Sequence, residues 1–424
     1  MNRLVLLSLM IFGLLLLGLG TLKAEYLALA IPPVIFLLAG LAYSPETPQV
    51  YAQRSLSARR VTSGSPVTVK ITLTNQGEAL EQVWIADQLP PDLQKLDGAI
   101  SMITSLKPGQ SVSIEYVVRA SRGVYRLPDL IAGVSDHLGL VNRSLPLGNA
   151  ETISVLPDIH HIPGIPIYPQ QTRGYPGTIP ARVGGPGVTF FGVREYQMGD
   201  AWHQVNWHAS ARHLEEIYSN EFEQERAADI GLILDSRRES YLVTHEESMF
   251  EYAVVATASL AQAFLDDGNR VGLVQYGQYI SWTFPGYGKV QRERILSALA
   301  QSAPGESLVD HLEHLPVRFF TPRSQVVLIS PLQSKDLDVL LNFRARGYAL
   351  LVVSPNPVAF EVSHLPSVPA VQLAARVARL ERTVLLRHLG QAGIRVLDWD
   401  VSIPFEQAVL TLRRGVARFS QRLQ

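Results

Sequence analysis

Residues 4–22 carry no charged side chain and only Ser8 and Thr21 as hydroxyl-bearing residues. A helix rises about 1.5 Å per residue, so about 20 apolar residues match a hydrocarbon core of roughly 30 Å. Lys23-Ala24-Glu25 interrupts the run, and residues 26–43 form a second one that contains Pro32-Pro33. The pattern predicts two transmembrane helices over 1–43 joined in a tight hairpin, with the prolines as a kink packed against the first helix. A cleaved signal peptide is disfavoured, because no small-x-small pattern closes the first run and a second apolar run follows at once. Arg3 precedes the hairpin and Arg54, Arg59 and Arg60 follow it, against Lys23 alone in its turn, so both outer ends are expected in the cytoplasm. Residues 44–54, with Ser44-Pro45-Glu46-Thr47-Pro48, read as an extended linker.

Beyond the linker the apolar pattern changes from continuous to alternating. Val67-Thr68-Val69-Lys70-Ile71-Thr72-Leu73 and Val112-Ser113-Ile114-Glu115-Tyr116-Val117-Val118 have the period of two that marks half-buried strands. Turn signals such as Asn75-Gln76-Gly77 and Lys107-Pro108-Gly109 separate these runs, which predicts an immunoglobulin-like β-sandwich over 55–157. Residues 158–227 are rich in Pro and Gly at first and predict a long irregular connection. From 228 onward, continuous Val/Ile/Leu strands at 230–235, 271–276, 326–329, 349–353 and 394–397 are separated by helical stretches near 246–266, 335–346 and 373–389. Strands apolar on both faces and separated by helices predict an α/β domain, 228–424, with a mostly parallel sheet covered by helices on both faces.

Composition narrows the chemistry. With 47% hydrophobic and 18% charged residues the chain can build real cores, and a formal charge of −1 gives no general attraction for nucleic acid. The absence of cysteine removes disulfides, thiolate metal sites and cysteine nucleophiles together. His160-His161 is disfavoured as a metal site because adjacent side chains diverge. His203, His208 and His213 recur every five residues, which matches neither one helix face nor one strand face. Residues 310–314 place two histidines at i, i+3 and lack the HExxH arrangement of a zinc protease, and no G-x-S-x-G elbow occurs.

The most distinctive stretch is Phe191-Gly192-Val193-Arg194-Glu195-Tyr196-Gln197-Met198-Gly199-Asp200, followed by Val205-Asn206-Trp207 and Ser210-Ala211-Arg212. Gly199-Asp200 is a good turn or helix start, Trp207 a large apolar anchor and Arg212 a forked donor. Arg194, Glu195, Asp200 and Arg212 read as an ion-pair lattice in preference to a catalytic constellation. The series of REY, GD, a hydrophobic residue two before Trp, and SAR resembles the domain of unknown function 58 family, except that His203 stands where the family usually has arginine. That resemblance implies a paired N-terminal membrane anchor, a β region and a von Willebrand factor A-like (Rossmann-like) domain. It also implies a link with MoxR-type AAA+ ATPases and a place in the bacterial inner membrane, with the soluble domains facing the cytoplasm.

Von Willebrand factor A domains with a metal-ion-dependent adhesion site carry Asp-x-Ser-x-Ser at the end of the first strand, with a Thr and an Asp from later loops. Oxygen ligands of this kind make a cage for a hard cation such as Mg²⁺. This chain reads Asp235-Ser236-Arg237-Arg238-Glu239, with Ser307 as the best match for the Thr and Pro331 in place of the Asp. A guanidinium cannot ligate a cation and repels one at close range, so no cofactor is expected and Mg²⁺ is disfavoured. Pairing of Arg237 or Arg238 with Asp235 is the economical replacement. The sequence therefore points to a non-enzymatic, membrane-anchored scaffold or adaptor whose partners are the bilayer, a MoxR-type ATPase and other proteins. The alternatives are a hydrolase built on Arg194, Glu195, Asp200 and Arg212, or a purely structural membrane protein.

Overall fold

A computed structural model of the chain describes residues 3–42, 48–135, 142–165, 167, 179–212, 216–244, 247–306, 320 and 324–411. It divides into two compact units, Met1–Leu156 and Pro157–Gln424.

The first unit begins with two helices, α1 (Arg3–Thr21) and α2 (Ala24–Ala42), joined at Leu22, whose φ of +53° reverses the chain. Among the described residues no helix is long and apolar enough to cross a membrane, so the expected spanning hairpin is not supported. Each helix has 19 residues.

Eleven strands follow: β1 (Val50–Leu56), β2 (Arg60–Thr62), β3 (Val67–Asn75), β4 (Leu80–Ala86), β5 (Gln94–Gly98), β6 (Ser101–Leu106), β7 (Ser111–Arg119), β8 (Gly123–Leu127), β9 (Ile131–Ser135), β10 (Asn142–Pro146) and β11 (Glu151–Leu156). They form sheets of order β1-β3-β7-β5 and β10-β9-β4-β6, with a third sheet, β2-β11-β8. The region is sandwich-like, but it has three sheets where the immunoglobulin pattern has two. Period-two burial sends Val67, Val69, Ile71 and Leu73 of β3 into one core with Val83, Ile85, Tyr116 and Val155. On the same principle Trp84 packs across Gly133 of β9, its register partner; an added Cβ there would lie 2.0 Å from the indole Nε1.

Arg54 is part of this fold and not of a linker. Its side chain is fully buried within β1, and Nη2 donates to Asp87 Oδ1 at 2.5 Å. Nη1 donates to the carbonyl oxygens of Pro128 and Asn149, each at 2.9 Å, and the Tyr116 hydroxyl donates to Asp87 Oδ2 at 2.5 Å. Burial first, and then the neighbouring Asp87 carboxylate, push the Tyr116 phenol well above its ordinary range. The expected linker 44–54 thus ends before Val50, and Arg54 is not available as a flanking charge at a bilayer. Arg59 is exposed and pairs with Glu151 at 2.8 Å.

The second unit opens with an antiparallel ribbon of β12 (Ile179–Glu195) and β13 (Tyr218–Arg226), between which lies the short helix α3 (Trp207–Ser210). Register shifts at Pro180/Gly184 and Gly185/Phe190 mark irregularities in β12. Much of the expected irregular connection, 158–227, is therefore strand. Next come β14 (Asp229–Asp235), α4 (Met249–Asp266), β15 (Arg270–Tyr276), β16 (Ile280–Gly286), α5 (Gly288–Ala300), β17 (Gln325–Ile329), α6 (Leu337–Ala345), β18 (Ala349–Pro355), α7 (Pro357–His364), α8 (Pro369–Gln391) and β19 (Arg395–Trp399). One six-stranded sheet runs β16-β15-β14-β17-β18-β19, antiparallel only at the β16 edge. Its central strands are buried on both faces, with α4 almost entirely buried beside them.

The fold class expected from the sequence does not hold for this chain. Among the described residues nine of the fourteen strand pairs are antiparallel. Apart from β2 against β11, the strand pairs of the first unit are antiparallel, as is the ribbon, whereas parallel pairing needs a long crossover. The other four parallel pairs all lie in the six-stranded sheet, where helices separate the strands.

Candidate functional site

Strand order places a topological switch in the six-stranded sheet: β14 is followed in sequence by β15 on one side, and β17 lies on its other side. The crevice beyond the carboxyl ends of such neighbouring strands is where open sheets of this kind take ligands. Here β14 ends at Asp235, and Ser330 follows β17.

The crevice is filled by the chain's own guanidinium. Arg237 is 0% exposed and reaches across to two carboxylates. Nε donates to Asp235 Oδ1 at 3.0 Å and Nη2 to Asp235 Oδ2 at 2.8 Å, while Nη1 and Nη2 donate to Asp336 Oδ1 and Oδ2 at 3.0 and 2.9 Å. The planar fork of arginine suits two bidentate pairings at once. Each carboxylate is held from behind as well. Asp235 accepts from the Arg237 amide at 3.0 Å and the Ser330 hydroxyl at 2.7 Å, and Asp336 accepts from the Gln333 amide at 2.9 Å. The guanidinium carbon lies 5.6 Å from the centroid of the Tyr276 ring. Burial pulls the Arg237 pKa down, but hydrogen bonds to Asp235 and Asp336 more than reverse this, so the net shift is upward and the group stays charged.

The loop that carries Ser330 and Asp336 is clamped a second time. Arg382 of α8 donates to the Pro331 carbonyl at 2.9 Å, to the Ser354 hydroxyl at 2.9 Å and to Asp398 Oδ1 at 2.7 Å. Leu332, between the two clamps, has a φ of +66°, and its amide donates to Ser330 Oγ at 3.1 Å. Pro331, the position matched to the later aspartate, offers only its carbonyl; Asp336, five residues on, supplies the carboxylate. Asp336, Ser330 and Arg382 were not singled out from the sequence. The spacing of Gln333 and Asp336, which form a capping box at the turn Ser334–Asp336, was the one available signal. Arg238 and Glu239 are exposed at the rim, where Glu239 pairs with Lys335 at 2.9 Å and is thereby held below the usual carboxylate range. Ser307 lies outside the described residues, as do His213 and residues 310–314. Among the described residues no group of three His, Asp or Glu side chains is placed to hold a metal ion.

The second cluster sits at the tip of the ribbon. Arg194 forks onto Asp200, with Nη1 to Oδ2 at 2.8 Å and Nη2 to Oδ1 at 2.7 Å, and Nη1 also donates to the Glu195 carbonyl at 3.0 Å. Glu195 thus contributes its backbone to the fork. Asp200 also accepts from the Gln197 amide at 2.9 Å, closing a turn in which Gly199 has a φ of +112°, a conformation that favours glycine. The Tyr196 hydroxyl donates to the Asp200 carbonyl at 3.2 Å, and its ring lies 6.1 Å from that of Trp202. Ser210 ties α3 to β13: its hydroxyl donates to the Asn206 carbonyl at 2.9 Å and accepts from the Tyr218 amide at 2.8 Å. Arg212 stands apart, 3.5 Å from His208 Nε2. Trp207 is no core anchor, because it is 65% exposed, Trp202 is 70% exposed and Met198 is fully exposed.

Hydrogen bonding to Arg194 holds Asp200 below the usual aspartate range, so its folded pKa is depressed. The fork is therefore complete above the ordinary aspartate pKa and is lost as pH falls through the lowered value. Acidification is expected to change the tryptophan emission of the full chain as Trp202 is released. Asp200→Asn is expected to show that emission already at neutral pH and to lose the acid transition; an unchanged titration in the variant would contradict this assignment.

Comparison with known proteins comes to the same segment. Residues 192–376 match the family described as "Protein of unknown function DUF58". The chain is 26% identical over 248 residues to the "Uncharacterized protein YeaD" of Bacillus subtilis (strain 168), an overlap of 57% of this chain. It spans 60% of the length of that relative. The two matches support the domain of unknown function 58 family. Among solved structures, a FixG-related protein from Vibrio parahaemolyticus overlaps 24% of this chain and 95% of its own, at 10% identity and a TM-score of 0.16. The cupredoxin domain of amoB from Nitrosocaldus yellowstonii overlaps 30% and 99%, at 13% identity and a TM-score of 0.19. Nothing transfers from overlaps this slight.

Proposed function

We propose that this chain is a bilayer-associated interaction scaffold that works with an AAA+ ATPase of the MoxR type, in envelope or complex-assembly processes, and is not itself a catalyst. The observation that carries this reading is the turn at the tip of the ribbon. A backbone held by the Arg194–Asp200 fork and by Ser210 presents Trp202, Trp207 and Met198 to solvent. Exposed tryptophans on a rigid support are the residues that dominate protein interfaces, since little conformational freedom is lost when they dock. The switch-point crevice points the same way. An adhesion site of the metal-dependent kind leaves one coordination position open for a partner's acidic side chain, whereas Arg237 occupies the crevice and is saturated by Asp235 and Asp336. Contacts would then run through the aromatic turn.

The choice of ATPase rests on the family resemblance. Association with the inner membrane is supported by the α1/α2 hairpin, which exposes Leu9, Phe12, Leu16, Leu19, Ile31 and Ile35, and the cytoplasmic side for the later domains rests on the family resemblance. Lipid is the cover we assign to that apolar surface.

The test is cross-linking of the full chain in isolated membranes of its own cell, with partners identified by mass spectrometry. The chain is expected in the membrane fraction with a MoxR-type ATPase attached. Trp202→Ala with Trp207→Ala is expected to lose the ATPase while thermal stability changes by no more than about 0.5 kcal/mol, as for other exposed positions. Capture of the ATPase at the wild-type level by this double variant would remove the turn from the interface.

A further inference from the structure

Helix α8 has two opposite faces. Ala375, Arg382 and Leu389, seven residues apart, are buried against the domain, where Arg382 makes the clamp described above. On the other side Leu373, Val377, Leu380 and Val384 are 64%, 51%, 68% and 51% exposed. Their spacing of four, three and four residues is the seam of a coiled coil, with Leu373 and Leu380 at d positions and Val377 and Val384 at a positions. In that register Ala375, Arg382 and Leu389 all take position f, the point of the helix furthest from the seam. One face is therefore committed to the domain and the other is left open.

We propose that this seam is an interface between two copies of this chain, with the two α8 helices parallel and in register. The seam residues carry the first part of the argument. A β-branched residue at a with leucine at d is the combination that favours a parallel two-stranded arrangement. Charge complementarity carries the second. Arg376 occupies position g and Glu381 position e of the following heptad, which is the pair that meets across a parallel two-stranded seam, once on each side of the two-fold axis. In an antiparallel pair g faces g and e faces e, so that Arg376 and Glu381 would not meet each other. Both are exposed, and among the described residues neither is ion-paired within its own chain. The seam runs for about two heptads before Arg387 ends it at the next d position. An interface this short falls in the small, transient class, so the dimer is expected to form in a concentration-dependent way over about 1–100 µM.

The full chain in mild detergent, followed by sedimentation, is expected to pass from monomer to dimer over that range. Leu380→Glu is expected to keep it monomeric with an unchanged thermal midpoint, since the position is exposed. The chain has no cysteine, so Val377→Cys introduces a single thiol. Two such thiols face each other at an a position and are expected to oxidise to a covalent dimer, whereas Arg379→Cys, on the flank at position c, is expected not to. Arg376→Glu and Glu381→Arg are each expected to weaken the dimer about tenfold, and the two together to restore it. A wild-type monomer throughout, or a dimer that survives Leu380→Glu, would overturn the proposal. So would Val377→Cys that cross-links no better than Arg379→Cys, or a double charge swap as impaired as the single ones. A partner protein or lipid on the seam would give the monomer result.

Discussion

Replacing Arg237 by alanine is expected to destabilise the second unit by about 3–5 kcal/mol, the usual cost of removing one member of a buried ion-pair network. Asp235 and Asp336, both essentially without solvent contact, would be left facing a cavity with no cation between them. Denaturant unfolding of the full chain reads the loss as a lower midpoint for the second unit. Arg237→Lys is expected to recover only part of it, because an ammonium is a single point of charge and cannot fork onto two carboxylates. The cation is built into the chain, and so wild-type protein is expected to show no shift in its midpoint with Mg²⁺ or Mn²⁺. Arg237→Ser with Glu239→Ser restores the spacing of an oxygen cage next to Asp235, Asp336 and Ser330, and its midpoint is expected to rise with either cation. A wild-type midpoint that rises with Mg²⁺ would show that the guanidinium does not close the site.

Arg54→Ala is expected to cost the first unit a similar ~3–5 kcal/mol, a large part of the roughly 5–15 kcal/mol that keeps a domain folded. Asp87 would remain buried with only the Tyr116 hydroxyl to answer its charge, and the carbonyls of Pro128 and Asn149 would lose their shared donor. The same cluster sets an alkaline limit. The folded pKa of Tyr116 lies above the ordinary value of 10.0. Above that value the unfolded chain gives up the phenolic proton while the folded one keeps it, so stability falls as pH rises. Tyr116→Phe is expected to lower stability at neutral pH through the lost hydrogen bond and to flatten the alkaline decline. A decline as steep as the wild type's would trace the limit to other groups.

Apolar periodicity located β3 and β7 by their alternation, the continuous apolar strands β14, β15, β17, β18 and β19, and the helices α4, α6 and α8. Helices α5 and α7 were missed. Helix α5 carries charged residues through Lys289-Val290-Gln291-Arg292-Glu293-Arg294, and α7 is only eight residues long and starts at a proline. The ribbon β12/β13 was read as a connection because Gly184-Gly185-Pro186-Gly187 are residues that normally break strands. The fold class failed because it was argued from the apolar strands of 228–424, which represent less than half of the chain and not its mostly antiparallel remainder. Length and apolarity alone suggested spanning helices, but among the described residues no helix is long and apolar enough to cross a membrane.

For the candidate site, the residue types next to Asp235 were sufficient to argue that arginine stands where hydroxyl ligands would be needed, because the chemistry of a guanidinium does not depend on its surroundings. Its two partners were a different matter. Asp336 is 99 residues away from Arg237 and Ser330 is 95 away from Asp235, and they meet only because β17 pairs with β14. Arg54 illustrates the same division: as a letter it is a flanking charge after an apolar run, and only tertiary packing buries it beside Asp87, which follows β4 of a different sheet. Local sequence determines which side chains can donate, accept or repel, and which stretches prefer to be strand or helix. Which donor is buried against which acceptor is decided by long-range pairing, where the requirement that a buried charge find its counter-charge selects partners that have no fixed spacing along the chain.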